Sequence, residues 1–202
     1  GRIVLDGETL FDSEKRVDLT PQQRRVGYLF QQYALFPNMS VMQNIQCGIR
    51  TGSRAEKQRQ AAEQLRRFHL EGLERKYPAQ LSGGQQQRAA LARILCSEPR
   101  VILLDEPFSA LDSFLKWNLE LELKDLLADF GGPILWVSHD LGECRRNCQT
   151  VCVMENGVSA AVTDMETLLR RPASLGAARL TGCRNFLPAR RCADGMLLDG
   201  WE

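Results

Sequence analysis

The chain lacks any apolar run near the roughly 18 residues that a membrane-spanning helix needs. Any tie to a membrane is therefore expected to go through another protein. It opens without a secretory signal pattern. It also lacks a charge excess: 26 Lys and Arg against 25 Asp and Glu leave a formal net charge of +1. Whole-chain electrostatics thus gives no argument for nucleic acid or anionic lipid, although a local basic patch stays open. Paired cysteine spacing is missing as well. The seven cysteines are odd in number, which predicts reduced thiols buried in the structure rather than a disulfide framework. Cys144, Cys148 and Cys152 recur every four residues. Residues 150–154 read as a strand, however, so one helical face does not hold all three and no metal site is expected there. Repeats and low-complexity segments are absent. The last absence concerns phosphate. A phosphate loop requires Gly-x-x-x-x-Gly-Lys-Ser/Thr, and none of Lys15, Lys57, Lys76, Lys116 and Lys124 follows a glycine.

What is present is a globular composition, 44% hydrophobic and 25% charged, in a chain long enough to bury a core without disulfides or metal. The opening RIVLDGETLF reads as two strands around Asp6-Gly7, a favoured hairpin turn. Residues 26–30 read as another strand, followed by an irregular segment broken at Pro37 and Asn38. Ser53 and Glu56 have capping-box spacing. The helix they open carries Ala61, Leu65, Phe68 and His69 on one face, with His69 as a packed or partly exposed residue. QQQRAALARIL reads as a helix ending near Pro99, and VILLDEP as an aliphatic strand ending in acid. Residues 112–130 read as a helix with Leu115, Leu119, Leu123, Leu126 and Phe130 on one stripe. ILWVSHD supplies the next strand. Strand, helix and strand in that order predict parallel pairing, and continuous aliphatic runs predict strands buried on both faces. Asn156-Gly157 predicts a later hairpin.

Ligands of open α/β sheets bind beyond the carboxyl ends of the strands. Gln31, the pair Asp105-Glu106 and His139 all follow predicted strands. Paired carboxylates there suit a magnesium–phosphate site, one holding the ion or its waters and the other orienting or deprotonating an attacking water. Each residue alone is also accounted for as a polar cap where a loop begins; the ordered set is not. Ser82 and Gln85 form a second capping box, and Ser82, Gly83 and Gly84 put small residues and N–H groups at a helix start, where phosphate is favoured.

These residues resemble the ATP-binding subunit of ATP-binding cassette (ABC) transporters. LSGGQ at 81–85 is similar to the signature, VILLDEP at 101–107 to Walker B with its glutamate, and SALD at 109–112 to the D-loop. SHD at 138–140 is similar to the switch histidine, and FQQYALFP at 30–37 to the importer Q-loop. Order and spacing agree over nearly the whole chain. The resemblance implies an α/β fold, a P-loop NTPase-like and mostly parallel sheet flanked by helices. A small N-terminal antiparallel β portion and an inserted helical subdomain at about 40–98 belong to that expectation.

It also implies an ATP hydrolase coupled to transport, with ATP and Mg2+ as cofactors. Two subunits would sandwich two ATP molecules. Ser82, Gly83, Gly84 and Gln85 would meet the γ-phosphate held by the opposite subunit. Asp105 would hold the metal, Gln31 would sense metal and water, Glu106 would act as general base, and His139 would clasp the γ-phosphate. Asp112 would link the two sites. Tyr33, Leu35, Phe36 and Pro37 would face transmembrane permease subunits. The partners implied are thus a second copy and a permease, with no nucleic acid and no direct membrane insertion, and the place is the cytoplasmic face of the cell membrane.

In that family the phosphate loop precedes GRIVLDG. The chain is therefore expected to begin inside the domain, and alone neither to bind ATP tightly nor to hydrolyse it. Residues 1–182 are expected to form the ATPase domain without its Walker A portion, and 183–202 the start of a truncated C-terminal regulatory segment. AARLTGCRNFLPARR at 177–191 is similar to the junction in molybdate and sulfate importers, which makes molybdate the first substrate expected, before sulfate, polyamine, iron and sugar. Two other readings compete: a nucleic-acid-associated ABC ATPase, which the lack of coiled-coil insertions or tandem cassettes disfavours, and a non-catalytic dimerisation module.

Overall fold

A computed structural model of the chain describes residues 1–108, 113–192 and 195–198. It divides into two compact units, 1–138 and 139–202.

The first unit opens with an antiparallel sheet, β1 (Arg2–Leu5), β2 (Glu8–Asp12) and β3 (Val17–Asp18), in the order β1-β2-β3. Asp6 and Gly7 turn the first hairpin with φ of 49° and 81°, as the sequence predicts. A short helix α1 (Pro21–Arg24) follows, capped by Thr20 and Gln23 with Pro at its start. Then comes a parallel sheet of β4 (Val26–Leu29), β5 (Val101–Asp105) and β6 (Ile134–Val137), ordered β4-β5-β6. Arg100, just before β5, ties the two sheets. It donates to the Leu5 carbonyl at 3.1 Å and pairs with Asp6 at 3.2 Å and with Glu8.

Between β4 and β5 the chain forms α2 (Val41–Gly48), α3 (Arg54–Arg67) and α4 (Gly83–Cys96). The three carry the same N-terminal device, a serine at 40, 53 or 82 reciprocally bonded to Gln43, Glu56 or Gln85. Their apolar faces share one core with β4 and β5: Ile45, Ala61, Phe68, Ala89, Ala92, Ile102 and Leu104 are fully buried. Gly48 permits the close approach of α2 and α4, since a Cβ there would sit 2.1 Å from the Arg93 carbonyl oxygen. Helix α5 (Ser113–Leu127) leads to β6 and completes the predicted strand-helix-strand unit.

Several expectations need correction. His69 lies outside α3: the helix ends at Arg67, and His69 is an exposed residue with φ of 50°, while Phe68 and Leu70 on either side point into the core. Helix α5 ends three residues before Phe130. Leu123 and Leu127 are buried, whereas Leu119, Leu126 and Phe130 pack only partly. Strand β6 is not buried on both faces. It is the edge of the sheet, and Ile134, Leu135 and Val137 are 38%, 59% and 48% exposed. The thiols are not buried either. Cys47, Cys152, Cys183 and Cys192 are exposed, and Cys96, Cys144 and Cys148 half-buried.

The second unit holds α6 (Leu141–Asn147), β7 (Thr150–Val151), β8 (Met154–Glu155), β9 (Val158–Ser159), β10 (Thr163–Asp164), α7 (Met165–Arg170), α8 (Leu175–Leu180), β11 (Ala189–Cys192) and β12 (Gly195–Leu198). Strands β8 and β9 form the hairpin predicted at Asn156-Gly157. Strands β7 and β10 pair antiparallel, as do β11 and β12. Among the described residues, no helix is long and apolar enough to cross a membrane.

Candidate functional site at the carboxyl edge of the parallel sheet

Parallel pairing aligns the carboxyl ends of β4, β5 and β6, so the residues that follow each strand emerge on one edge. Asp105 closes β5, and its register partner is Val137 at the end of β6. Glu106 comes next. Its N–H donates to the Val137 carbonyl at 2.9 Å, and its φ of 45° places it in the left-handed region. A non-glycine residue held there costs on the order of 1–3 kcal/mol, a strain that persists only where the surroundings enforce it. The next two residues, Pro107 and Phe108, are buried, with Phe108 packed on Trp136 at 5.8 Å. Gln31 follows β4, and its Nε2 donates to Glu106 Oε2 at 3.5 Å. Gln31 and the acid pair, predicted from separate segments, are thus brought together. Tyr28 Oη donates to Asp105 Oδ2 at 2.7 Å. That bond, then burial and the Asp105 charge, raises the Tyr28 phenol above its usual pKa.

The start of α4 is accessible. Ser82 and Gly83 are exposed, Gly84 and Gln85 half-buried. Ser82 Oγ accepts from the Gln85 N–H at 3.3 Å, and Gln85 Oε1 accepts from the Ser82 N–H at 2.9 Å. A Cβ on Gly83 would meet nothing within 4 Å. Helix α4 is fastened to the acid loop by Gln87, 2% exposed, whose Nε2 donates to the Pro107 carbonyl at 3.3 Å. On its other side Arg88 pairs with Glu122 of α5 at 2.7 Å.

The segment after Gln31 divides. Phe36 and Pro37 are exposed, Phe36 by 48%, whereas Tyr33 and Leu35 pack partly against the core. Two side chains that the sequence reading passed over shape this loop. Asn44 of α2 is fully buried; it accepts from the Phe36 N–H at 2.8 Å and donates to the carbonyls of Phe36, Met39 and Ser40 at 3.0–3.1 Å. Arg93 of α4 lies 5.2 Å from the Phe36 ring centroid and donates to the Tyr33 carbonyl at 3.4 Å. Burial lowers the Arg93 pKa from its usual value. An asparagine in an amphipathic helix signals nothing by periodicity; a polar residue at a core position was the available cue.

His139 is exposed and opens the second unit, two residues after β6. Asp112 lies outside the described residues. Among the described residues no group of three or more His, Cys, Asp or Glu could hold a metal alone. The donor chemistry at Asp105 and Gln31 nevertheless fits Mg2+. That ion is commonly held by one or two carboxylates plus water and substrate phosphates rather than by an all-protein cage.

Comparisons with known proteins bear on the family. A profile described as "ABC transporter" matches residues 1–109. Molybdenum import ATP-binding protein ModC of Paramagnetospirillum magneticum is 39% identical over 182 residues, 90% of this chain and 49% of that protein. Sulfate/thiosulfate import ATP-binding protein CysA of Xylella fastidiosa is 39% identical over 96% of this chain and 58% of its own length. Spermidine/putrescine import ATP-binding protein PotA of Methylococcus capsulatus is 43% identical over 94% of this chain and 48% of its own length. The chain spans about half the length of the curated relatives it matches. A solved dimer of the ATP-binding cassette MJ0796, in a post-hydrolysis state with ADP and Pi, superposes with a TM-score of 0.64 at 29% identity, covering 82% of this chain and 73% of that one. By fold, motif order and sequence, the chain belongs to the ABC transporter family.

Proposed function

We propose that this chain is part of the ATP-hydrolysing subunit of an importer, working as a homodimer beneath transmembrane permease subunits at the inner face of the cell membrane. The observation that carries the reading is Glu106. It is a half-buried carboxylate in a strained backbone conformation at the end of a parallel strand, with Gln31 at 3.5 Å and Asp105 beside it. In this reading Glu106 takes a proton from water as the water oxygen bonds to the γ-phosphorus; the bond to the bridging oxygen breaks and ADP leaves. Gln31 fixes the Glu106 carboxylate, and Asp105 holds Mg2+. Magnesium, when bound with ATP, supplies charge neutralisation on the phosphates. The exposed N–H groups at the start of α4 receive the γ-phosphate held by the opposite copy, while His139 clasps the γ-phosphate held with Asp105 and Glu106 of its own copy. Most of the effect is positioning and electrostatics. Asp112 joins the two sites, Phe36 and Pro37 meet the permease, and Tyr33 and Leu35 support them. Residues 1–182 form the ATPase portion and 183–202 begin a regulatory segment.

For substrate we propose molybdate or a related oxyanion, supported by the similarity to ModC and CysA. The PotA relative, at 43% identity, favours a second reading, a polyamine. Competitive uptake by the reconstituted importer separates them: molybdate and sulfate block it in the first case, spermidine in the second. The ATPase reading is tested by Glu106→Gln in the full-length protein. Hydrolysis is expected to fall about 10²–10⁴-fold, the usual worth of a general base, with ATP still bound. Turnover at the wild-type rate would contradict it.

A further inference from the structure

We propose that Tyr28 is a positioning residue for Asp105: its phenol fixes one carboxylate oxygen and thereby turns the other toward the metal and its waters. This rests on the reading of Asp105 as the metal-holding carboxylate.

The contact follows from register. Tyr28 lies opposite Leu103 in the parallel β4–β5 pair, and Asp105 is two residues further along the same face. A tyrosine is long enough to span that diagonal, and its Oη reaches Asp105 Oδ2 at 2.7 Å. The ring has an aromatic neighbour. It meets the Phe30 ring edge-on, with centroids 4.2 Å apart and planes at 62°. It also forms part of the wall of an apolar cleft of about 450 Å³, together with Val4, Leu10, Val26 and Leu103. The half-buried apolar body thus lies among apolar groups while the polar tip reaches the site, the division that suits a partly buried tyrosine. A carboxylate offers two oxygens and about four lone-pair positions. One phenol donor sets the plane of the group and leaves Oδ1 for coordination. Metal-ligating carboxylates commonly depend on such an outer partner, whose loss costs metal affinity rather than fold.

The two acids thus have separate polar partners. Gln31 serves Glu106 and Tyr28 serves Asp105. Phenylalanine at position 28 would keep the ring packing and lose the hydroxyl alone, so Tyr28→Phe is a clean variant.

The test is manganese binding to the full-length protein with ATP, read by electron paramagnetic resonance, in wild type and Tyr28→Phe. Manganese affinity is expected to fall about tenfold or more in the variant, with affinity for metal-free ATP in chelator unchanged. Wild-type manganese affinity in Tyr28→Phe overturns this inference alone; no manganese bound by wild type overturns the metal reading as well. The contact itself is read by ultraviolet resonance Raman of the tyrosine doublet, using the difference from Tyr28→Phe to isolate the Tyr28 signal. Wild type is expected to show a strong-donor phenol, and Asp105→Ala to lose that signature. An identical doublet in both would overturn the contact.

Discussion

Residues 1–138 bury Phe68, Phe108, Leu91 and Ile102 to 1% exposure or less, whereas in residues 139–202 the buried hydrophobic residues, among those described, are Leu168 and Ala177. The second unit instead exposes Met154, Val158 and Val162, each by about 70%, and many of its strands are two residues long. A polar group can be aimed only by a frame that does not yield. The first unit has such a frame, and it carries Gln31, the signature serine and both acids. The contrast also runs inside the first unit, where β5 is sealed at Ile102 and Leu104 while β6 is open at the sheet edge.

The largest expected break in this contrast is Phe68→Ala. Emptying a fully buried aromatic site at the end of α3, within the core it shares with α2 and α4, is expected to cost about 3–5 kcal/mol. Val158→Ala in the second unit is expected to cost within about 0.5 kcal/mol. Urea unfolding of the two variants checks both values, and equal shifts would erase the distinction between the units. Asn44→Ala sharpens the comparison on a polar residue. It leaves the Phe36 N–H without its side-chain acceptor and the carbonyls of Phe36, Met39 and Ser40 without their side-chain donor, at a cost of about 1–3 kcal/mol. In the assembled importer it is expected to lower permease-stimulated hydrolysis more than basal hydrolysis. A parallel fall in both would make Asn44 a fold residue only.

Local signals in the sequence proved legible. The boxes at Ser53/Glu56 and Ser82/Gln85 and the turns at Asp6-Gly7 and Asn156-Gly157 depend on residues a few positions apart, and the strand-helix-strand unit after VILLDEP implies its parallel pairing by connection alone. Contacts across elements were not legible. Nothing near Tyr28 in the chain points to Asp105, 77 residues away, because the contact exists only once parallel register is set. Strand β6 misled for a related reason. An aliphatic run reports what a strand is suited to bury, and its place at the sheet edge decides what it does bury. His69 left the helix because left-handed φ at that position turns the chain so that Leu70 enters the core. The box at Thr20/Gln23, which opens α1, was as readable as the others and went unread.

The central claim is that the start of α4 from one copy completes the acid site of the other. Mixed dimers of Gly83→Asp and Glu106→Gln full-length subunits test it most directly. Gly83 has open space for a side chain, and an acid in a first helical turn is compatible with the helix dipole, so Gly83→Asp folds while repelling phosphate. Each variant alone is expected to be inactive. Mixed equally, half the dimers hold one intact site, and roughly a quarter of wild-type hydrolysis should return. Mixtures as inactive as either parent would show that each site is built within one chain and would contradict the account.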